Sequence, residues 1–296
     1  MTLFCLFNAD DFALDLACSN AVIKGVERGR LQATSVLAGG EDQASFGQLD
    51  KTGCKFINVH LNLLEGKALT KGGSEFGLTG NDDFFHLSLG ELITKLYLFP
   101  QKNRLREWIF KEFCQQIEFV YDHFPERQMR LDGHLHIHIL PPLRTVIEKL
   151  LIKYPIRYIR TPSERGYSRQ APFISNIKGC LRRQLLGFWA KDIGKLARRY
   201  QVATSDFFLG TAASCNLTLD DIDRGLSVIS QAAGNCDAQI EIMVHPIDND
   251  ISDSHFYKDS RYGFAHATPE RRNELTLLLS DDLINIMKKY NAVFVK

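Results

Sequence analysis

The chain has 296 residues, 45% of them hydrophobic and 24% charged, with a formal net charge of +1. This composition supports a large globular core and excludes a disordered or fibrous chain. The near-zero charge supplies no overall field for nucleic acid or an anionic membrane, so any such contact has to be local.

The opening residues lack the basic start, long apolar core and small-residue cleavage site of a secretory signal. No apolar run approaches the roughly 20 residues that span a bilayer, so the cytoplasm is the expected location. Leu3–Phe7 is short, apolar and aromatic, which predicts a strand buried on both faces and ending in Asn8-Ala9-Asp10-Asp11. Leu16, Ala17, Ala21, Val22 and Val26 then recur at helical spacing. Thr34–Ala38 and Lys55–Val59 read as strands, the second ending at His60. Trp108–Phe124 reads as a helix, and Met129–Leu131 as a strand ending at Asp132. Pro142–Lys153 is a helix pattern, and Ile156–Ile159 a strand ending at Arg160. Leu217–Ala233 is helical, Gln239–Val244 a strand ending at His245, Glu270–Tyr290 one helix, and Ala292–Val295 a last strand.

Repeated strand–helix units predict an α/β fold with parallel strands and right-handed crossovers, in a single domain over 1–296. Residues 65–103 and 161–216 break the rhythm and are expected to be long inserted loops carrying short helices. Seven scattered cysteines without a Cys-x-x-Cys pair read as buried small hydrophobes in a reducing compartment. In a parallel barrel, Asp10, Asp11, His60, Asp132, His134, Arg160 and His245 would share the C-terminal face, where such barrels place their chemistry.

Adjacent carboxylates repel unless a cation relieves them, so Asp10-Asp11 suits one metal ligand beside one base; helix capping is the plainer alternative. In Asp132-Gly133-His134-Leu135-His136-Ile137-His138 three imidazoles alternate, and at strand spacing they would share a face. Imidazole is a common transition-metal ligand. His134 lies nearest the strand end, leaving His136 and His138 for orientation or substrate contact. His60 completes a set with Asp11 and His134 that leaves coordination positions open. Asp10 would then take a proton from water, His245 would donate one to a leaving amine, and Arg160 would anchor Asp10 or a substrate oxygen.

Asn8-Ala9-Asp10-Asp11-Phe12, His60 with Leu61–Gly66, the Asp132–His138 run, Glu241-x-Met243-x-His245-Pro246 and Arg271-x-x-Glu274-Leu275 together resemble the YdjC-like carbohydrate deacetylases, a family that includes chitooligosaccharide deacetylases. The resemblance implies a distorted TIM-like barrel, a divalent metal, often Mg²⁺, and a homodimer. It implies Asp11, His60 and His134 as ligands, Asp10 as base and His245 as acid. The implied reaction removes an N-acetyl group from an amino sugar. A non-catalytic carbohydrate-binding barrel and a hydrolase of another bond, such as a phosphoester, are the competing readings. Two imidazoles would also suit Zn²⁺. Ala13 stands where the family usually has Gly, and Leu135 where it often has Gln or His.

Residues 165–205 match the chitooligosaccharide enzymes poorly. From Cys180 to Tyr200, Arg182, Arg183, Lys191, Lys195, Arg198 and Arg199 interleave with Leu181, Leu185, Leu186, Phe188, Trp189, Ile193 and Leu196. That pattern fits a basic helix at a membrane surface, a solvated helix packed on the barrel, or a dimer contact.

Overall fold

The computed structural model describes residues 1–167, 169, 173–248 and 269–295, the side chains of 173–176 excepted. Its centre is one parallel sheet. Strand β1 (Leu3–Phe12) is buried over nearly its whole length, as its apolar run predicts. It is followed by β2 (Ala33–Val36), β3 (Phe56–Leu61), β4 (Arg130–Gly133), β5 (Tyr158–Ile159), β6 (Phe207–Leu209), β7 (Ala238–Val244) and β8 (Ala292–Phe294).

The strand order is β5-β4-β3-β2-β1-β7-β6, every pairing being parallel. β8 pairs with Leu3–Cys5 of β1, below the point where β2 joins the same strand at Asn8. The sheet therefore curls as a seven-strand half-barrel, coarser than the closed TIM-like barrel expected. Among the described residues, its edges meet only through isolated bridges, Tyr158 with Ala203 and Glu164 with Phe208.

Helices cover the outside: α1 (Leu16–Glu27), α2 (Phe46–Lys51), α3 (Leu89–Leu98), α4 (Lys102–His123), α5 (Arg144–Lys153), α6 (Phe173–Arg199), α7 (Leu219–Ala233), α8 (Pro269–Leu279) and α9 (Asp281–Lys289). Asp15 caps α1 by accepting from the Cys18 N–H, and Ser88 and Thr218 form capping boxes for α3 and α7. The helix expected over 270–290 is two. Ser280 breaks it by accepting from the Asp282 N–H, which starts α9 as a new segment.

The two stretches expected to be inserted loops hold more structure than that. Residues 65–103 contain a 3₁₀ turn, Gly73–Phe76, and α3; residues 161–216 contain α6 and strand β6. A three-residue strand with the pattern Phe-Phe-Leu carries no alternation that sequence periodicity could detect. All seven cysteines are free, but only Cys5, Cys18, Cys54 and Cys114 are buried. Cys180 and Cys215 are half-buried and Cys236 is exposed, against the expectation of seven buried thiols. Among the described residues, no helix is long and apolar enough to cross a membrane.

Candidate metal centre

The strand ends bring the polar residues together because β1 is irregular there. Ala9 pairs with Thr34 and Phe12 with Val36, so three steps of β1 oppose two of β2. Successive strand residues normally face opposite sides. The bulge, with Asp11 at φ 68°, turns both Asp10 and Asp11 into the same buried pocket. Non-glycine residues rarely adopt that backbone, and such strain concentrates at functional sites.

His60 on β3 and Asp132 on β4 are register partners, and His60 Nδ1 donates to Asp132 Oδ1 at 2.6 Å. That bond leaves His60 Nε2 facing Asp11 Oδ1 at 3.6 Å and Asp10 Oδ2 at 3.8 Å. Asp132 is held in turn by Ser35, by Asn58 at 3.0 Å and by Arg160 at 3.0 Å. His134 places Nδ1 3.0 Å from Asp11 Oδ1 and Nε2 2.8 Å from Glu65 Oε2.

The histidine run is not a strand. It winds as a 3₁₀ segment, His134–Ile139, with Leu135 and His136 in the left-handed region, so the three rings do not line one face. The turn folds so closely that a Cβ on Gly133 would stand 2.8 Å from His138 Nδ1 and 3.0 Å from its backbone nitrogen. Only His134 enters the carboxylate cluster. His138 Nε2 donates to the Arg160 carbonyl at 3.0 Å, while His136 meets the Phe208 ring edge-on at 6.2 Å and keeps a buried Nδ1 without a partner.

Arg160, directly after β5, is fully buried with its donors spent inside the protein. It forks onto Asp10 at 2.6 and 2.8 Å, reaches Asp132, and gives Nε to Glu241 Oε1 at 2.7 Å. It braces carboxylates and has no donor left to meet a substrate oxygen. Arg271 serves Asp11 similarly, donating to Oδ2 at 3.1 Å and to the His245 carbonyl at 2.8 Å. Glu274 accepts from the backbone N–H groups of Leu217 and His245. His245 Nε2 lies 4.0 Å from Asp10 Oδ2, and among the described residues its Nδ1 has no hydrogen-bond partner.

The electrostatics follow from burial of many carboxylates around few cations. Desolvation opposes ionisation of Asp10, but Arg160 and His60 hold it below the ordinary carboxylate range. Asp11 is likewise held well below, against its own burial, by His134, His60 and Arg271. Burial disfavours charge on the imidazoles too, yet Asp132 and Asp10 pull His60 up to about 9, and Asp11 and Glu65 pull His134 up to about 10. Beyond the cluster burial wins: His138 and His245 fall to about 4.

Asp11, His60 and His134 offer one ligand atom each within 4.8 Å of one another; Asp10, His60 and Asp132 form a second such group. The first fits a divalent ion better. Donor atoms about 2.1 Å from one ion stand roughly 3.0–3.4 Å apart, close to the 3.0 and 3.6 Å separations of the His134 and His60 nitrogens from Asp11. In the second group, Asp132 and Asp10 are already bound to His60 and Arg160. Sequence reasoning gave no role to Glu65, Asp132, Glu241 or the supporting Ser35 and Asn58. Asp132 lies near the end of β4 and Glu65 beyond β3, whereas Ser35, Asn58 and Glu241 are polar residues inside strands, and their partners are set by cross-strand register.

Comparison with known proteins bears on this arrangement. A carbohydrate deacetylase of Danio rerio is 24% identical over 254 residues, covering 80% of this chain and 79% of that protein. One of Xenopus laevis is 30% identical over 139 residues, 46% of this chain and 43% of its own. One of Vibrio cholerae is 28% identical over 169 residues, 55% and 61% respectively. The fold is shared with a solved structure from Enterococcus faecalis named for a proposed role in cellobiose-phosphate cleavage. That match has a TM-score of 0.68 and 18% identity, and covers 100% of this chain and 98% of the other. Residues 5–289 match the family model described as YdjC-like protein, and the chain belongs to that family.

Proposed function

We propose that this protein is a metal-dependent hydrolase that removes an N-acetyl group from an amino sugar. The observation that carries this reading is the Asp11–His60–His134 cluster with a second, independently held carboxylate, Asp10, alongside it. The carbohydrate deacetylases among its relatives supply the substrate class.

Asp11, His60 and His134 would hold the ion, with Asp132 fixing the His60 tautomer so that Nε2 is the ligand atom. When bound, such an ion makes a water acidic enough to lose a proton near neutral pH and polarises an acyl oxygen. Asp10 then serves as base. Arg160 keeps it ionised and weakly basic, so it would act as base toward a water whose acidity a bound ion would supply. His245 is neutral at rest because burial depresses it to about 4. The proton it delivers to the leaving amine must therefore come from within the site, and Asp10, 4.0 Å away, is placed to relay it. Among the described residues, His136 Nδ1, like His138 Nδ1 and His245 Nδ1, is a buried polar atom without a hydrogen-bond partner, and it would meet a sugar hydroxyl. On ligand chemistry the two imidazoles suit zinc; magnesium is what the family resemblance implies.

Acetate release from N-acetylglucosamine oligomers, with and without a chelator, tests the reading. Release abolished by chelation and restored by a divalent ion is expected. Release indifferent to chelation would overturn the metal role, and no acetate from any acetylated amino sugar would overturn the activity.

A further inference from the structure

Helix α6 leaves an apolar stripe uncovered. Leu186, Ala190, Ile193 and Leu196 are buried, so the sequence pattern over 180–200 is partly that of a helix packed on the barrel. On its exposed side stand Ile177, Leu181, Leu185 and Phe188, which are 44, 61, 49 and 68% exposed. Their spacing of four, four and three residues puts them in one line about 16 Å long. A lone exposed leucine needs no explanation, but an aligned set does.

The stripe has a cationic flank. Lys178 and Arg182, one turn apart, join Arg169, Ser214 and Asn216 around a cavity of about 320 Å³. Arg169 is committed to Asp221 and to the carbonyls of Ala212 and Asn216. Among the described residues, neither Lys178 nor Arg182 has an ion-pair partner. The second half of α6 exposes Lys191, Lys195, Arg198 and Arg199, offset by Asp192 beside Lys195 and Glu148 beside Arg199.

We propose that α6 docks this protein on an anionic lipid surface, the stripe entering the headgroup–acyl boundary while Lys178 and Arg182 bind lipid phosphates. An apolar line edged by lysine and arginine is the arrangement such a surface selects. A second copy fits less well, because antiparallel two-fold pairing of the stripes would set the Lys178–Arg182 flanks of both copies on the same side of the seam, like charge beside like charge. Docking would also orient the catalytic face. The helix packs on the histidine turn, which carries His134. The loop lining the cavity runs on to Leu217, which Glu274 ties to His245.

Cosedimentation of the full chain with vesicles of phosphatidylcholine, alone or mixed with phosphatidylglycerol, tests the proposal. Binding to the mixed vesicles, weakened by salt, is expected, with a blue shift in the fluorescence of half-buried Trp189 beside Phe188. Each basic residue near such a surface is worth about a factor of five in affinity, so Lys178→Glu with Arg182→Glu should cost at least roughly 30-fold. Leu181→Ser with Phe188→Ser should remove the blue shift, with circular dichroism and metal content unchanged. Wild type binding no better than these variants would overturn the proposal. So would a wild-type dimer that ignores vesicles and falls apart in the serine variant.

Discussion

Two sides of one pocket meet at the β1 bulge and treat adjacent carboxylates differently. Toward β3 and β4, Asp11 faces two imidazoles, with Arg271 on its other oxygen, and in the proposed reading those ring nitrogens would exchange a proton for a metal ion. Toward β5 and β7, Asp10 is gripped by a guanidinium that cannot surrender a proton or bind a cation, and Glu241 fixes that guanidinium from behind. In the proposed reading, one dipeptide supplies both a ligand and a base. The proposed roles follow from what each carboxylate is bonded to, since the two side chains are chemically identical.

The largest effects should come from the imidazole side. His60→Ala or His134→Ala should lose both bound metal and turnover, the latter to the level of protein-free solution. Stoichiometric metal in either variant, measured by elemental analysis, would show that the imidazole side does not hold the ion. Asp10→Asn should retain the metal and lose about 10²- to 10⁴-fold in turnover, the usual worth of a positioned base. If it lost metal as well, the two sides would not be separable.

Proton linkage sharpens the same contrast. Without metal, His60 and His134 have pKa values of about 9 and 10, so both carry protons at pH 7 and binding an ion should release nearly two. Apparent affinity should then rise by up to roughly 100-fold per pH unit between pH 7 and 9, read by calorimetry in buffers of different ionisation enthalpy. The stability sign follows from pKa values raised above the unfolded value of 6.5. Proton binding at these rings stabilises the metal-free fold fully below pH 6.5, and that contribution is lost as pH rises through 9 and 10. Chelated protein should melt lower at pH 10 than at pH 7. Asp132→Asn comes next: it frees His60 to rotate and should weaken metal binding about 10- to 100-fold without touching the ion.

Much of this was legible in the sequence for one physical reason. The polar residues follow short apolar runs, and a parallel sheet gathers the ends of such runs on one face. Asp11, His60 and His134 could be named together on that ground. The β1 bulge, the histidine turn and β6 could not, because they depend on backbone dihedrals and on pairing between distant segments. His134 could be singled out as nearest the strand end, but all three rings would share one face only if the run were extended, and it winds as a 3₁₀ segment. Asp132 reads as part of a motif, and only register with His60 shows what it grips.

The smallest expected effect concerns that turn. Leu135 and His136 sit at φ 48° and 59°, where a Cβ costs about 1–2 kcal/mol per residue. The Leu135 side chain is 40% exposed, so little packing is lost on its removal. Leu135→Gly relieves the strain but adds roughly 0.4–1 kcal/mol of unfolded-state entropy. The net should be a gain of a few tenths of a kcal/mol in urea denaturation, whereas Leu135→Ile, β-branched at a left-handed position, should lose about 1 kcal/mol or more. A glycine variant that is more stable yet binds metal less well would mean that the side chain at Leu135 holds His134 toward Asp11. Unchanged metal affinity would mean that the bond from His138 to the Arg160 carbonyl holds the turn without it.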